Sequence, residues 1–164
     1  MKHWQYLKYM IRHKWYVTVE CFKMGLYWRG LVHDLSKFLP SEWKPYLDYF
    51  YGDYGVKNNC PAKWLDKKCC EVKQKYDEAW LFHQHRNRHH WQYWLLRLDE
   101  GGERALDIPD HYLKEMAADW IGASKAIRGK DAKAWDWYEH VQDKTILSPE
   151  TKRKFELLLR GECY

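Results

Sequence analysis

Hydrophobic side chains recur at helical spacing along most of this chain. Tyr6, Met10, His13 and Val17 lie three or four positions apart, which predicts an amphipathic helix over residues 2–17 with His13 on its apolar face. The same spacing, together with Pro and Gly at the ends of segments, predicts further helices over 18–37, 41–51, 66–98, 109–129, 131–141 and from Pro149 onward, and a break in the long helix near residues 87–90 is the alternative. Residues 52–61, rich in Gly and Asn, are predicted to form a loop.

The composition favours an aromatic, helical core. The 164 residues include 11 Trp and 13 Tyr, whereas Val and Ile, the residues that favour strands, are scarce. A chain of this length fits one domain and buries a substantial core. We therefore expect an all-α fold, a single compact helical bundle that spans residues 1–164.

The charge pattern limits the classes of partner. The net charge is +5, but Lys and Arg are interspersed with Asp and Glu, so an anionic partner is allowed without being required and nucleic acid stays open. Apolar stretches are short and interrupted by charge, and the first residues lack a secretory signal. We expect a cytoplasmic protein with no membrane partner; the sequence does not define its oligomeric state.

Five cysteines lie at irregular spacing, which is typical neither of a disulfide framework nor of a paired zinc motif. Reduced thiols are therefore expected. A structural zinc held by Cys60, Cys69 and Cys70 is the alternative.

The run His33-Asp34-Leu35-Ser36-Lys37 combines two kinds of metal ligand with a cation. An adjacent His and Asp can share one metal ion through a nitrogen and an oxygen. If the run is helical, Lys37 lies on the same side as both ligands. A solvated surface salt bridge is the alternative interpretation of this run.

Four of the nine histidines lie between His83 and Trp91. On a continuous helix His83, Asn87 and His90 share one face, whereas His85 points to the opposite side. A solvated polar face, or a basic aromatic strip that stacks on nucleic acid, is the alternative.

Glu115 and Asp119 are one helical turn apart and are flanked by Met116, Ala117, Ala118 and Trp120. These apolar neighbours indicate burial, and a buried carboxylate needs a partner or a metal.

Taken in chain order, these residues resemble the HD-domain superfamily of metal-dependent phosphohydrolases, whose pattern is a separated His, an adjacent His-Asp pair and a distant Asp on a helical scaffold. The corresponding residues here are His13, His33, Asp34 and Asp119. The phrases His-Asp-Leu-Ser-Lys-Phe and Asn-x-His-His-Trp also resemble a small uncharacterised family of phage and bacterial proteins. No Gly-Tyr-Pro follows the middle histidines, so the cyclic-dinucleotide subgroup that carries this tripeptide is not fully matched.

The resemblance implies a phosphohydrolase that acts on a nucleotide or cyclic nucleotide phosphoester with one or two divalent transition metals, either Mn, Fe, Co, Ni or Zn. His13, His33, Asp34 and Asp119 would hold the first metal, and His83 and His90 a second. Lys37 would meet the substrate phosphate, Asn87 or His89 would orient the substrate or protonate the leaving oxygen, and Glu115 would orient a ligand histidine.

Two other functions stay open. The first is a nucleic-acid-binding or host-interaction module whose metal is only structural, which steep salt dependence without turnover would indicate. The second is an HD-type di-iron oxygenase, which absorbance in the near-ultraviolet and visible would reveal. The aromatic residues fit both a wall that stacks on a nucleobase and a well-filled core.

Overall fold

The structure is a computed structural model that describes residues 1–54 and 67–162. Within these ranges the chain is mostly helical, which confirms the all-α prediction. Seven α-helices are formed: α1 (Lys2–Lys23), α2 (Tyr27–Val32), α3 (Pro40–Tyr51), α4 (Lys67–Arg86), α5 (Asp110–Arg128), α6 (Ala134–Val141) and α7 (Pro149–Arg160). Short 3-10 turns cover Leu35–Phe38, Trp91–Trp94 and Gln142–Lys144.

One small sheet interrupts the helices of the described chain. Strands β1 (Leu95–Arg97) and β2 (Glu103–Ala105) pair antiparallel, with Leu96 opposite Arg104. Gly101 and Gly102 both have positive φ, 96° and 86°, in the connection between the strands. These glycines therefore allow the hairpin to turn, where the sequence predicted only the end of a helix.

The backbone divides into two compact units. The first contains Met1–Ile11 and Asp34–Arg86, and the second contains Arg12–His33 and Asn87–Tyr164. One boundary falls within α1 and another falls at the peptide bond between His33 and Asp34. The prediction of a single domain stays a prediction.

The first unit is built on aromatic packing between α3 and α4. The ring of Tyr49 on α3 stacks on Tyr76 of α4 with 3.9 Å between centroids, and Tyr6 of α1 lies 4.5 Å from the ring of Trp43. Tyr6 is 1% exposed. Such ring pairs bury large apolar areas, so these Tyr and Trp rings contribute to the core of the first unit.

The second unit packs α5 against α6 and α7. Leu113, Met116 and Ala117 of α5 form a core with Tyr138 and Phe155, whose rings meet edge to face at 5.5 Å. Ser148 caps α7 as predicted, because its Oγ accepts the Thr151 N–H at 3.2 Å.

The predicted helix over residues 18–37 is wrong. The first helix continues to Lys23, Gly25 turns the chain with φ 75°, and the next helix ends at Val32. The Lys14 ammonium donates to the carbonyls of Gly30, Leu31 and His33 at 2.7 to 3.0 Å, so a side chain from another helix satisfies the carbonyls at this helix end. Asp34 follows with φ 54°, the left-handed conformation that Asp tolerates better than most residues.

The predicted helix over 66–98 is too long. Its observed equivalent, α4, ends at Arg86, and a turn leads into the 3-10 segment and the hairpin. Most of the predicted loop over 52–61 lies outside the described residues.

The thiols differ from the prediction. Cys69 is disulfide-bonded, so the expectation of reduced thiols is wrong for this residue, whereas Cys21 and Cys70 are free. Cys60, part of the alternative zinc site, lies outside the described residues.

In the described ranges no helix combines the length and apolar character needed to cross a membrane.

The contact between α1 and α5 is so close at position 122 that only glycine should fit there. A Cβ at Gly122 would lie 2.5 Å from Val17 Cγ2 and 2.8 Å from the Val17 backbone nitrogen. Gly122→Ala should therefore lower the free energy of unfolding by about 1–3 kcal/mol, measured by urea denaturation. Ile127→Ala on the exposed side of the same helix is the control, with an expected change within about 0.5 kcal/mol. Equal stability of Gly122→Ala and wild type would contradict this packing.

Glu20 should give the second unit an acid-sensitive contribution to stability. Its Oε1 accepts from Lys125 at 2.6 Å and Lys23 at 2.9 Å; burial opposes ionisation, but these lysines outweigh it and lower the Glu20 pKa. A lowered folded-state pKa means that the stabilisation is complete above the unfolded value and is lost as pH falls through the folded value. Glu20→Gln should cost about 1–3 kcal/mol at neutral pH, and the difference should vanish in acid.

Denaturation of both proteins as a function of pH tests this prediction. The exposed Glu139→Gln is the control and should follow wild type at every pH. A Glu20→Gln deficit that stays constant into acid would contradict the role assigned to the ionised carboxylate.

Candidate metal centre

His33 is the centre of a buried polar cluster in the second unit. The residue follows α2 directly, is 1% exposed, and lies beside two carboxylates from α5. Its Nε2 is 3.3 Å from Asp119 Oδ1, and its Nδ1 is 3.2 Å from Glu115 Oε1. Because Glu115 and Asp119 are one helical turn apart, a single helix face presents both carboxylates to one imidazole.

His13 of α1 joins the same aspartate. Its Nε2 lies 3.3 Å from Asp119 Oδ1, and its ring centroid is 5.8 Å from that of His33. The ligand atoms of His13, His33 and Asp119 all lie within 4.8 Å of one another. The structure therefore brings together three of the residues predicted to bind the first metal.

These separations suit residues that share one ion. Two ligand atoms about 2.1 Å from a metal, at the tetrahedral angle, lie about 3.4 Å apart. Both His-to-Asp119 separations are 3.3 Å. Two imidazole nitrogens and one carboxylate oxygen form a donor set that Zn, Fe, Mn, Co and Ni accept.

Glu115 holds the opposite side of His33. Its Oε2 accepts from Arg29 Nη1 at 2.8 Å, and its Oε1 lies 3.3 Å from His89 Nδ1. Burial opposes ionisation of Glu115, but His33 and His89 outweigh it and lower the Glu115 pKa. An ionised carboxylate on Nδ1 orients the imidazole and directs Nε2 towards Asp119, and the predicted role of Glu115 in orienting a ligand histidine stays a prediction.

The first unit contains a second cluster of the same composition. His83 of α4 is completely buried, with its Nε2 3.2 Å from Asp34 Oδ1 and its Nδ1 2.7 Å from Glu42 Oε2. Glu42 in turn accepts from Arg86 Nη1 at 3.0 Å. Burial lowers the His83 pKa, but the charge of Asp34 and the hydrogen bonds that His83 donates to both carboxylates outweigh it and raise the pKa.

The two clusters follow one pattern. In each, an aspartate faces Nε2 of a buried histidine, a glutamate faces Nδ1, and an arginine pairs with that glutamate. We call them the Asp119 chain (Asp119, His33, Glu115, Arg29) and the Asp34 chain (Asp34, His83, Glu42, Arg86). His33 and Asp34 are consecutive in the sequence, so one peptide bond joins the two chains.

Lys37 lies beside the Asp34 chain. Its ammonium is 2.5 Å from Asp34 Oδ2 and 5.9 Å from the centre of the Tyr46 ring. The contact with Asp34 that the sequence indicated is present, although the run is not an α-helix: Asp34 has left-handed dihedrals and Lys37 lies in a 3-10 turn. The hydroxyls of Tyr6 and Tyr46 are buried in this unit without a hydrogen-bond partner among the described residues.

The histidines between residues 83 and 90 do not share one helical face. The prediction of a common face for His83, Asn87 and His90 is wrong because α4 ends at Arg86, before the last two. His90 is nevertheless buried, with its ring 4.3 Å from that of His89, and His85 is exposed as predicted. Asn87 is half-buried in the turn after α4, and its catalytic role stays a prediction.

Sequence reasoning missed Glu42 and Arg29. Glu42 lies in the first turn of α3, where a carboxylate is normally exposed to solvent and interacts favourably with the helix dipole. The adjacent Trp43 is the only nearby sequence signal of its burial, and the structure leaves Glu42 2% exposed. Nothing in the spacing of Arg29 linked it to Glu115, which is 86 positions away.

The sharing of one metal by His33 and Asp34, and of a second by His83 and His90, stays a prediction.

Comparison with known proteins gives a family but no activity. No curated protein and no solved structure matches the chain. One family model matches residues 2–160, nearly the whole length. The chain therefore belongs to a family of unknown function, DUF5662.

Proposed function

We propose that this protein is a metal-dependent phosphohydrolase that acts on a nucleotide or cyclic nucleotide phosphoester. The proposal rests on one observation: the Asp119 chain and the Asp34 chain repeat the same arrangement of Asp, His, Glu and Arg. Orienting a histidine by a carboxylate on its second nitrogen is the arrangement used by metal-binding imidazoles. The resemblance to the HD-domain superfamily points to the same chemistry.

His13, His33 and Asp119 would hold the metal in the second unit. Glu115 keeps His33 oriented, and Arg29 balances the charge of Glu115. The bound metal would supply a Lewis acid and an activated water near neutral pH. In the first unit Asp34 and His83 have the corresponding positions for a second ion, with Glu42 as the orienting carboxylate.

Lys37 would bind the substrate phosphate. Its ammonium now pairs with Asp34, and a non-bridging phosphate oxygen would be a second anionic partner. Transition states of phosphoryl transfer spread negative charge over these oxygens, so a fixed cation stabilises them. At the metal of the second unit, His89, whose Nδ1 lies 3.3 Å from Glu115, would donate a proton to a leaving oxygen bound there, and Asn87 would orient the substrate in that unit.

A structural metal in a binding module is the second candidate. The high burial of His33 and His83, 1% and 0% exposed, favours it, since structural metal sites are closed to solvent. In that case removal of the metal would unfold the protein, and no substrate would turn over.

Metal content should depend on the ligand residues. Elemental mass spectrometry of the purified protein should give one or two transition metals per chain. Asp119→Asn and His33→Ala should each lower the metal content by about one ion per chain, because each removes a donor atom of the same group. His85→Ala, an exposed histidine at the end of α4, is the matched control and should keep all of it.

A double variant makes this test sharper. His33→Ala combined with Asp34→Ala removes one member of each chain, and loss of less than half of the metal would contradict the proposal. Asp34→Asn is the companion variant, since Asn also tolerates the left-handed backbone and changes only the charge.

Hydrolysis should depend on the Lys37 ammonium. Nucleotides and cyclic dinucleotides are assayed with Mn, Co or Ni added, and Lys37→Met should lower kcat/KM for the active substrate by about 100-fold or more, with the metal retained. The control is Lys44→Met, which removes a similar lysine-aspartate pair on the surface, between Lys44 and Asp48. No turnover of any substrate, or equal activity of Lys37→Met and wild type, would count against the proposed catalytic role.

A further inference from the structure

Arg29 is held against the face of Tyr112 in the second unit. Its guanidinium carbon lies 4.3 Å from the centre of the Tyr112 ring, while Nη1 donates to Glu115 Oε2 at 2.8 Å. The ring and the carboxylate together fix the plane of the guanidinium. About a third of the Arg29 side chain, 32%, remains exposed.

Arg88 approaches the same tyrosine from the turn after α4. Its Nη1 donates to the Tyr112 hydroxyl at 3.3 Å, and its guanidinium carbon is 5.5 Å from the centre of the Tyr93 ring. The Arg88 carbonyl accepts from the indole N–H of Trp94 at 2.8 Å, which fixes the backbone of this turn. The side chain of Arg88 is exposed to solvent.

Positive charge is in excess around Tyr112. The two guanidinium groups contact one phenol, and Glu115 is the carboxylate that pairs with Arg29. Over residues 1–54 and 67–162, no carboxylate lies within 4.0 Å of Arg88. Burial would raise the Tyr112 pKa, but hydrogen bonds from Arg88 and Arg29 outweigh it and lower the pKa, as expected for a hydroxyl in a positive field.

We propose that Arg88 and Arg29, held on Tyr112, form a subsite that binds a phosphate group of the substrate. The inference rests on the proposed function, since it assigns to the substrate of the metal centre in the second unit a phosphate group that these two arginines bind. Two oriented guanidinium groups match the charge and the paired oxygens of a phosphate better than those of a single carboxylate. The rings of Tyr93, Trp94 and Tyr112 beside them favour a nucleoside polyphosphate as the substrate class.

The subsite is tested by direct binding of inorganic pyrophosphate to the purified full-length protein, by isothermal titration calorimetry at about 0.15 M salt. Arg88→Gln should weaken the affinity about 10-fold or more, because it removes a charged hydrogen-bond donor. Tyr112→Phe should weaken it less, since the ring that supports Arg29 remains and only the hydroxyl that holds Arg88 is lost.

Arg104→Gln is the matched control, because Arg104 is an exposed arginine of β2 in the same unit. Metal content and melting temperature are measured for every variant, and both should match wild type in Arg88→Gln. Wild-type affinity of Arg88→Gln, or an equal loss in Arg104→Gln, would overturn the subsite even if the protein hydrolyses phosphoesters. A selective loss in Arg88→Gln in a protein without metal or turnover would support the subsite and reject the proposed function.

Discussion

Burying ionised groups is costly unless each group has a charged or hydrogen-bonded partner, and this constraint shapes both units. His33 and His83 are almost completely buried, and each lies between an aspartate and a glutamate. Each glutamate then pairs with an arginine that reaches solvent. Each buried member thereby has a polar or charged neighbour, and removing one member would leave another without a partner away from water.

The surrounding packing positions the residues of the Asp119 chain and the Asp34 chain. Gly122 lets α5 approach α1 at Val17, one helical turn beyond His13, so the close contact of these two helices positions the residues that meet at Asp119. Lys14 ends α2 by binding its last carbonyls, which leaves His33 at the helix terminus. In the first unit the stacked rings of Tyr49 and Tyr76 hold α3 to α4, and these helices present Glu42 and His83 to each other.

Two kinds of residue can be separated in the proposed centre. The buried His and Asp residues would supply donor atoms, and the glutamates behind them would set the orientation of the rings. In the second unit the cations Arg29 and Arg88 would contact the substrate. This division explains why Arg29 has both an inward partner, Glu115, and an exposed portion.

The sequence by itself determined the helical class and the cap at Ser148, and it singled out most of the residues that meet in the two buried clusters, because local spacing and residue chemistry carry this information. Helical periodicity placed Glu115 and Asp119 on one face, and the His-Asp pair is contiguous. Only the tertiary structure decided that helices end at Val32 and Arg86; at Val32 the carbonyls are bound by Lys14, which belongs to another helix. The pairing of Glu42 with His83 and of Arg29 with Glu115 also depended on tertiary structure, because partners 41 and 86 positions apart leave no local pattern.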